Sequence, residues 1–160
     1  MATQLQLRRG TEAQNDAFIG AEGEVTYDTN GKGIRVHDGT TVGGMRVPTL
    51  TSVQYPTADN NYTWYRVYSD GWVEQGGYVV INTSSVSAGT YSTKNIQLPV
   101  AMSCVCNWKC QAKHDRFNAG FSTNMIGAAA STVEIYQVND SSSSSFANPY
   151  VVWEIKGMVA

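Results

Sequence analysis

A chain of 160 residues with 11 Lys and Arg against 13 Asp and Glu carries a net charge of −2 and no basic block able to track a phosphate backbone, which argues against nucleic acid as a partner. No apolar run reaches the ~20 residues of a membrane-spanning helix, and the length suits one ordinary domain or two small modules. The opening Met-Ala-Thr-Gln lacks the basic-then-apolar pattern of a secretory signal, which predicts synthesis and folding in a cytoplasm.

In chain order, residues 4–10 read as a short strand stopped by Gly10. Thr11 and Gln14 then stand at capping-box spacing, so one or two helical turns are expected, with Ala13, Ala17 and Phe18 as an apolar stripe ended by Gly20. Residues 24–28 and 34–38 alternate as strands and are joined by a segment holding the turn dipeptide Asn30-Gly31. With only Phe18, Val25, Tyr27, Ile34 and Val36 to bury, the first 47 residues are too few in core to stand alone. Residues 48–61, with two prolines and many Thr, Ser and Asn, read as a polar connector.

Trp64 to Gly77 is the densest aromatic stretch and reads as a β-hairpin. Asp70-Gly71 at its tip predicts a two-residue type I′ turn. That register sets Val67 opposite Glu74 and Tyr65 opposite Gly76, with Tyr68/Val73, Arg66/Gln75 and Trp64/Gly77 on the other side. Aromatics on both faces predict that the ribbon is covered twice, and glycines opposite Tyr65 and Trp64 leave room for their rings.

Residues 82–97 are rich in Ser, Thr and Gly. From Met102 a strand alternates, placing Met102, Cys104, Cys106, Trp108, Cys110 and Ala112 on one expected core face. Three cysteines cannot pair completely within a chain, and neither His37 nor His114 completes a metal-ligand spacing, so the thiols are expected to be reduced, buried and metal-free. Residues 113–120 break the alternation and read as a loop. Residues 132–138 and 151–156 are strands, joined by the serine-rich 139–150, a polar stretch read as mobile or as a contact surface.

Two sets of motifs resemble known phage proteins. Gln6-Leu7-Arg8-Arg9-Gly10-Thr11, the run from Gly20 to Thr29 and the run from Ile34 to Gly44 resemble the small N-terminal module of bacteriophage tail fibres and tropism-determinant proteins. Tyr65 to Gly77, with its Ser-Asp-Gly-Trp core, and the closing Val151 to Gly157 resemble the C-terminal tip domain of phage tail fibre proteins. The resemblance implies a mainly β chain: a β-hairpin collar module (1–47), a linker (48–61) and an antiparallel β-sandwich knob (62–160), assembled as a homotrimer. It further implies a virion tail fibre that adsorbs to the host-cell surface through the knob. Its partners would be a baseplate or tail protein at the N-terminus and a bacterial surface glycan or outer-membrane protein at the tip. The alternative is a structural baseplate or tail piece whose knob docks another virion protein, with a glycan-cleaving spike behind it.

No nucleophile elbow, zincin motif or phosphate-cradling loop is present, so the expectation is a protein that is not an enzyme and needs no cofactor or metal. Glu74 and Glu134 could be nominated as a hydrolytic carboxylate pair, but both lie in strands, where a solvated or ion-paired side chain is the commoner explanation. His37-Asp38 reads as a turn-stabilising pair. The receptor contacts expected are His114, Arg116, Phe117, Asn118, Phe146 and Tyr150, because loops on a rigid scaffold that mix rings with polar groups suit recognition.

Overall fold

The computed structural model describes residues 6–81, 86–112, 117–121, 126–140, 142 and 150–160. The fold is mainly β, and its contacts divide the chain into two compact units, Met1–Thr51 with Tyr68–Asp70, and Ser52–Val67 with Gly71–Ala160. No helix among the described residues is long and apolar enough to cross a membrane.

The first unit holds β1 (Arg8–Gly10), α1 (Glu12–Asp16), β2 (Val25–Asp28), β3 (Gly33–Val36) and β4 (Met45–Val47), with the strands in that order in one sheet. β1 pairs with β2 in parallel and the other neighbours run antiparallel. The capping box forms as expected: Gln14 N–H donates to Thr11 Oγ1 and Thr11 N–H donates to Gln14 Oε1. Which face is buried runs opposite to expectation. Phe18, Val25, Tyr27, Ile34 and Val36 are half-buried, while the polar residues alternating with them, Thr26, Asp28, Arg35 and His37, are fully buried.

The reason is hydrogen bonding rather than apolar burial. Arg35 reaches Asp16 Oδ1 at 2.7 Å and Asp28 Oδ2 at 3.3 Å, and donates to Gly43 O at 3.0 Å. The Gly20 N–H donates to His37 Nδ1 at 3.2 Å, which leaves the ring proton on Nε2 to donate to Thr26 Oγ1 at 3.0 Å. The terminal guanidinium nitrogens of Arg35 and both ring nitrogens of His37 are thereby matched, as burial demands, while Arg35 Nε has no partner among the described residues. Gly20 and Gly44 permit this, since a Cβ on either would fall within 2.7 Å of the His37 ring.

The second sheet orders its strands β5-β6-β7-β11-β8-β10-β9, with β5 (Leu50–Gln54), β6 (Trp64–Tyr68), β7 (Trp72–Val80), β8 (Tyr91–Ala112), β9 (Phe117–Phe121), β10 (Ala130–Asn139) and β11 (Tyr150–Val159). The stretch read as a polar connector thus contains a strand, β5, and a 3-10 turn at Ala58–Asn60. The hairpin of β6 and β7 forms, but with a three-residue loop. Trp64 lies opposite Gly76, Tyr65 opposite Gln75, Arg66 opposite Glu74 and Val67 opposite Val73. A type I′ turn needs positive φ at two residues, and among Ser69, Asp70 and Gly71 only Gly71 has it (φ 84°). The one-residue slip exchanges every predicted facing. Val73 and Gln75, both buried, now share their face with Val67 and Tyr65, and only Trp64 finds a glycine to lie on.

β8 is 22 residues long and serves both ends of the sheet: residues 91–97 pair with β10, and most of 102–112 pair with β11. Between these stretches lies Pro99, which has no N–H to donate. Residues on either side of it join one core that includes Val73, Leu98, Met102, Val105, Phe121, Ile135, Val151 and Ile155. Trp108 of β8 and Phe121 of β9 meet edge to face with centroids 5.1 Å apart.

The cysteine strand corrects another expectation. Gly157 pairs with Val105 directly after Lys156 pairs with Asn107, so Cys106 is an extra, bulged residue, and Ser103 is a second one. The bulge turns Val105 into the core and Cys106 out to solvent. Cys104 and Cys110 are half-buried, and all three are free thiols.

Candidate recognition surface

Paired residues of neighbouring antiparallel strands share a face, so the register of β8, β10 and β9 fixes what the outer side of this part of the sheet presents. Thr93 stands opposite Tyr136, Tyr91 opposite Val138 and Asn95 opposite Glu134. Across the next pairing, Tyr136 stands opposite Gly120 and Val138 opposite Asn118. Val133, Ile135, Gln137 and Asn139 alternate with these residues and point to the core. The outer side is a shallow open groove lined by Tyr91, Thr93, Glu134 and Tyr136, with Gly89 and Thr90 at its end.

The rings in this groove are placed by backbone, not by loops. The ring of Tyr136 lies over Gly120, where an added Cβ would stand 2.8 Å from the phenol oxygen. Tyr91 is 72% exposed, more than any other large apolar side chain among the described residues. Glu134 has no cation within ion-pair distance among the described residues. The other nominated carboxylate, Glu74, sits on β7, where Lys156 Nζ reaches its Oε1 at 3.1 Å and also holds Glu154 at 3.0 Å. The structure does not bring Glu74 and Glu134 together in one groove.

The expected contact residues separate. Phe117 and Asn118 belong to an edge strand, β9, where a loop was expected; the small Ala119 and Gly120 let it close against β10. Asn118 is exposed on the outer face, and its amide donates to the Asp140 carboxylate. Tyr150 opens β11, half-buried, its ring 5.7 Å from Tyr78, which in turn lies 5.2 Å from Tyr62. Tyr150 on β11 is thus part of a row with Tyr78 on β7 and Tyr62 in the turn before β6, and neither β11 nor β7 is a neighbour of β9. His114, Arg116 and Phe146 lie outside the described residues, as does most of the serine-rich stretch.

Sequence reasoning passed over Tyr91 and Tyr136. The signal available was the alternation Glu134, Tyr136, Val138, which already put a ring and a carboxylate on one side of β10. In the first unit, Asp38 accepts from the hydroxyl and N–H of Thr41 and from those of Thr40, which hold its carboxyl below the usual range; Asp38 alone anchors the turn, while His37 of the same dipeptide is buried against Gly20 and Thr26. Among the described residues no group of three His, Cys, Asp or Glu is gathered as a metal site.

Residues 5–41 match the family described as Major tropism determinant N-terminal domain. A curated relative, the "Tail fiber receptor-binding protein" of Bordetella phage BPP-1, is 50% identical over 45 residues, 28% of this chain and 12% of the relative. Among solved structures, the Major Tropism Determinant P3c Variant aligns at 25% identity over 58% of this chain and 29% of its own, with a TM-score of 0.29. The M1 Variant aligns at 24% over 62% and 29%, with a TM-score of 0.28. The matched stretches thus span only 12% of the curated relative and 29% of each of these solved chains. Through its N-terminal module the chain resembles the phage tail fibre proteins of the tropism-determinant kind.

Proposed function

We propose that the chain is a phage tail fibre component, located on the virion tail, that binds the host-cell surface through its second unit and is held to the baseplate or another tail protein by its first. The observation that carries this reading is the 50% identity of 45 residues to a protein described as receptor-binding. Homotrimeric assembly belongs to the same reading. It is supported by the half-buried apolar face of the first unit and by the exposure there of Leu7, Val42, Met45 and Val47, apolar surface that a second copy would cover. Binding without catalysis belongs to this reading too, and it is supported by Glu134 lining a groove that Glu74 does not enter.

The knob segments 113–120 and 139–150, carrying His114, Arg116, Phe117, Asn118, Phe146 and Tyr150, are proposed to line the contact with the host. The test is binding of the purified, labelled chain to host cells and to cells stripped of surface polysaccharide, together with a variant lacking the serine run. Receptor binding predicts retention on cells, and loss of adsorption with normal virion assembly when the serines are removed. A chain that joins virions but never binds cells would be a structural tail piece.

A further inference from the structure

We propose that the outer groove of β8 and β10 is a binding site for a neutral saccharide, with Tyr91 as the stacking platform and Glu134 as the hydrogen-bond acceptor. The proposal rests on the receptor-binding reading and names a ligand class and a site for it.

Three observations point to this occupant. Tyr91 offers an exposed ring at one end of the groove, and the C–H face of a pyranose is the apolar surface that such a ring covers. Glu134 supplies an acceptor-only carboxylate with no cation beside it among the described residues. Lys94, on the neighbouring strand, is turned away, its ammonium donating to Val80 O at 3.0 Å. Sugar hydroxyls are the donors that such a carboxylate lacks. The Thr93 hydroxyl and the Tyr136 phenol, both able to donate and accept, match the mixed demand of a row of hydroxyls, which a simple cation would not use.

Charge then narrows the class. An uncompensated carboxylate repels uronic acids, sialic acids and phosphorylated sugars, so neutral hexoses fit and acidic ones do not. The groove is also built for binding rather than cleavage: hydrolysis needs two carboxylates facing one bond, and the nearby Asp140 is engaged by Asn118. With Tyr136 seated over Gly120, its ring needs little further ordering on binding. A single site of this size binds weakly, and repetition of the site within a fibre would raise the avidity.

The test passes the full chain over dense surfaces of mannose-, glucose-, galactose- and N-acetylhexosamine-terminated oligosaccharides, with sialylated and uronic acid oligosaccharides as comparators. Retention on at least one neutral surface and on none of the acidic ones is expected. Tyr91→Ala and Glu134→Gln, both on the solvent side of their strands, should each weaken it about tenfold with melting unchanged. Equal retention on acidic sugars, no retention on any neutral sugar, or wild-type binding by Tyr91→Ala would overturn the site. Binding to intact cells is read separately: a chain that binds cells but no neutral sugar refutes this groove and leaves the receptor-binding reading standing, whereas failure to bind any host cell refutes that reading.

Discussion

The side chain of Gln75 and the backbone of Val100 are hydrogen-bonded twice, Gln75 Nε2 donating to Val100 O at 2.9 Å and Val100 N–H donating to Gln75 Oε1 at 3.0 Å. Val100 has no ladder partner among the described residues, and a single buried amide stands in for one. Gln75→Leu keeps the volume but leaves a buried N–H and C=O unmatched. It should cost about 2–4 kcal/mol in a denaturant titration, and a loss below 1 kcal/mol would mean that water or another group reaches Val100 instead.

Gly157 faces the bulge at Cys106. A Cβ there would stand 2.0 Å from the backbone oxygen of Cys104, which no side-chain adjustment relieves. Gly157→Ala should therefore lower stability by about 3 kcal/mol or more. Gly71→Ala, at φ 84° in the hairpin loop, should lower it by only about 1 kcal/mol. Melting temperatures of the two variants decide the order.

The bulge also divides the thiols. Cys106 is exposed, whereas burial pushes the Cys110 thiol up to about 12. In the native protein a maleimide should label Cys106 first, and Cys110 only on unfolding. Cys106→Ser should change stability by less than about 0.5 kcal/mol, in contrast to the buried-core role its alternation suggests. Rapid native labelling of Cys110 would contradict the packing around it.

Acid should loosen the first unit. The N–H of Gly31, then Arg35 and the N–H of Asn30, hold the Asp28 carboxyl below its ordinary value of 3.8, and Arg35 does the same for Asp16. A folded-state value below the unfolded one means that the unfolded chain takes up protons first. The stabilisation is complete above 3.8 and is lost as pH falls through the folded-state values, mostly below about pH 4. Asp28→Asn should flatten that dependence and cost about 3 kcal/mol at neutral pH, because Arg35 loses a buried partner. Fluorescence melting from about pH 7 down to about pH 1, which covers the range where a paired carboxylate loses its contribution, reads both effects.

Strand positions were legible in the sequence because alternation and turn residues are local signals: β2, β3, β6, β7, β10 and β11 all lie where they are expected. Register was not. Asp70-Gly71 fits a two-residue loop and also a three-residue one ending in a left-handed glycine, and only packing of Val73 and Gln75 into the core chooses between them. Bulges at Ser103 and Cys106 depend on Gly157, some fifty residues away. In the first unit, alternation marks the two faces correctly but cannot say that Arg35 and His37, given enough partners, take the inner one. The groove stayed hidden for the same reason, since Tyr91 and Tyr136 become neighbours only once β8 and β10 are set in register.

In the second sheet, β11 lies between β7 and β8, although it follows both by tens of residues. During synthesis those two strands leave the ribosome with no partner on their facing edges, and they stay so until residues 150–159 emerge. Part of the core likewise waits on that strand, since Val151, Trp153 and Ile155 all come from it. Assembly of this sheet is therefore late and all at once rather than progressive, with two unpaired strand edges open meanwhile to self-association. A truncation before residue 150 would not leave a smaller working sheet. It would leave two fragments of one, each displaying the edge that the missing strand was to cover.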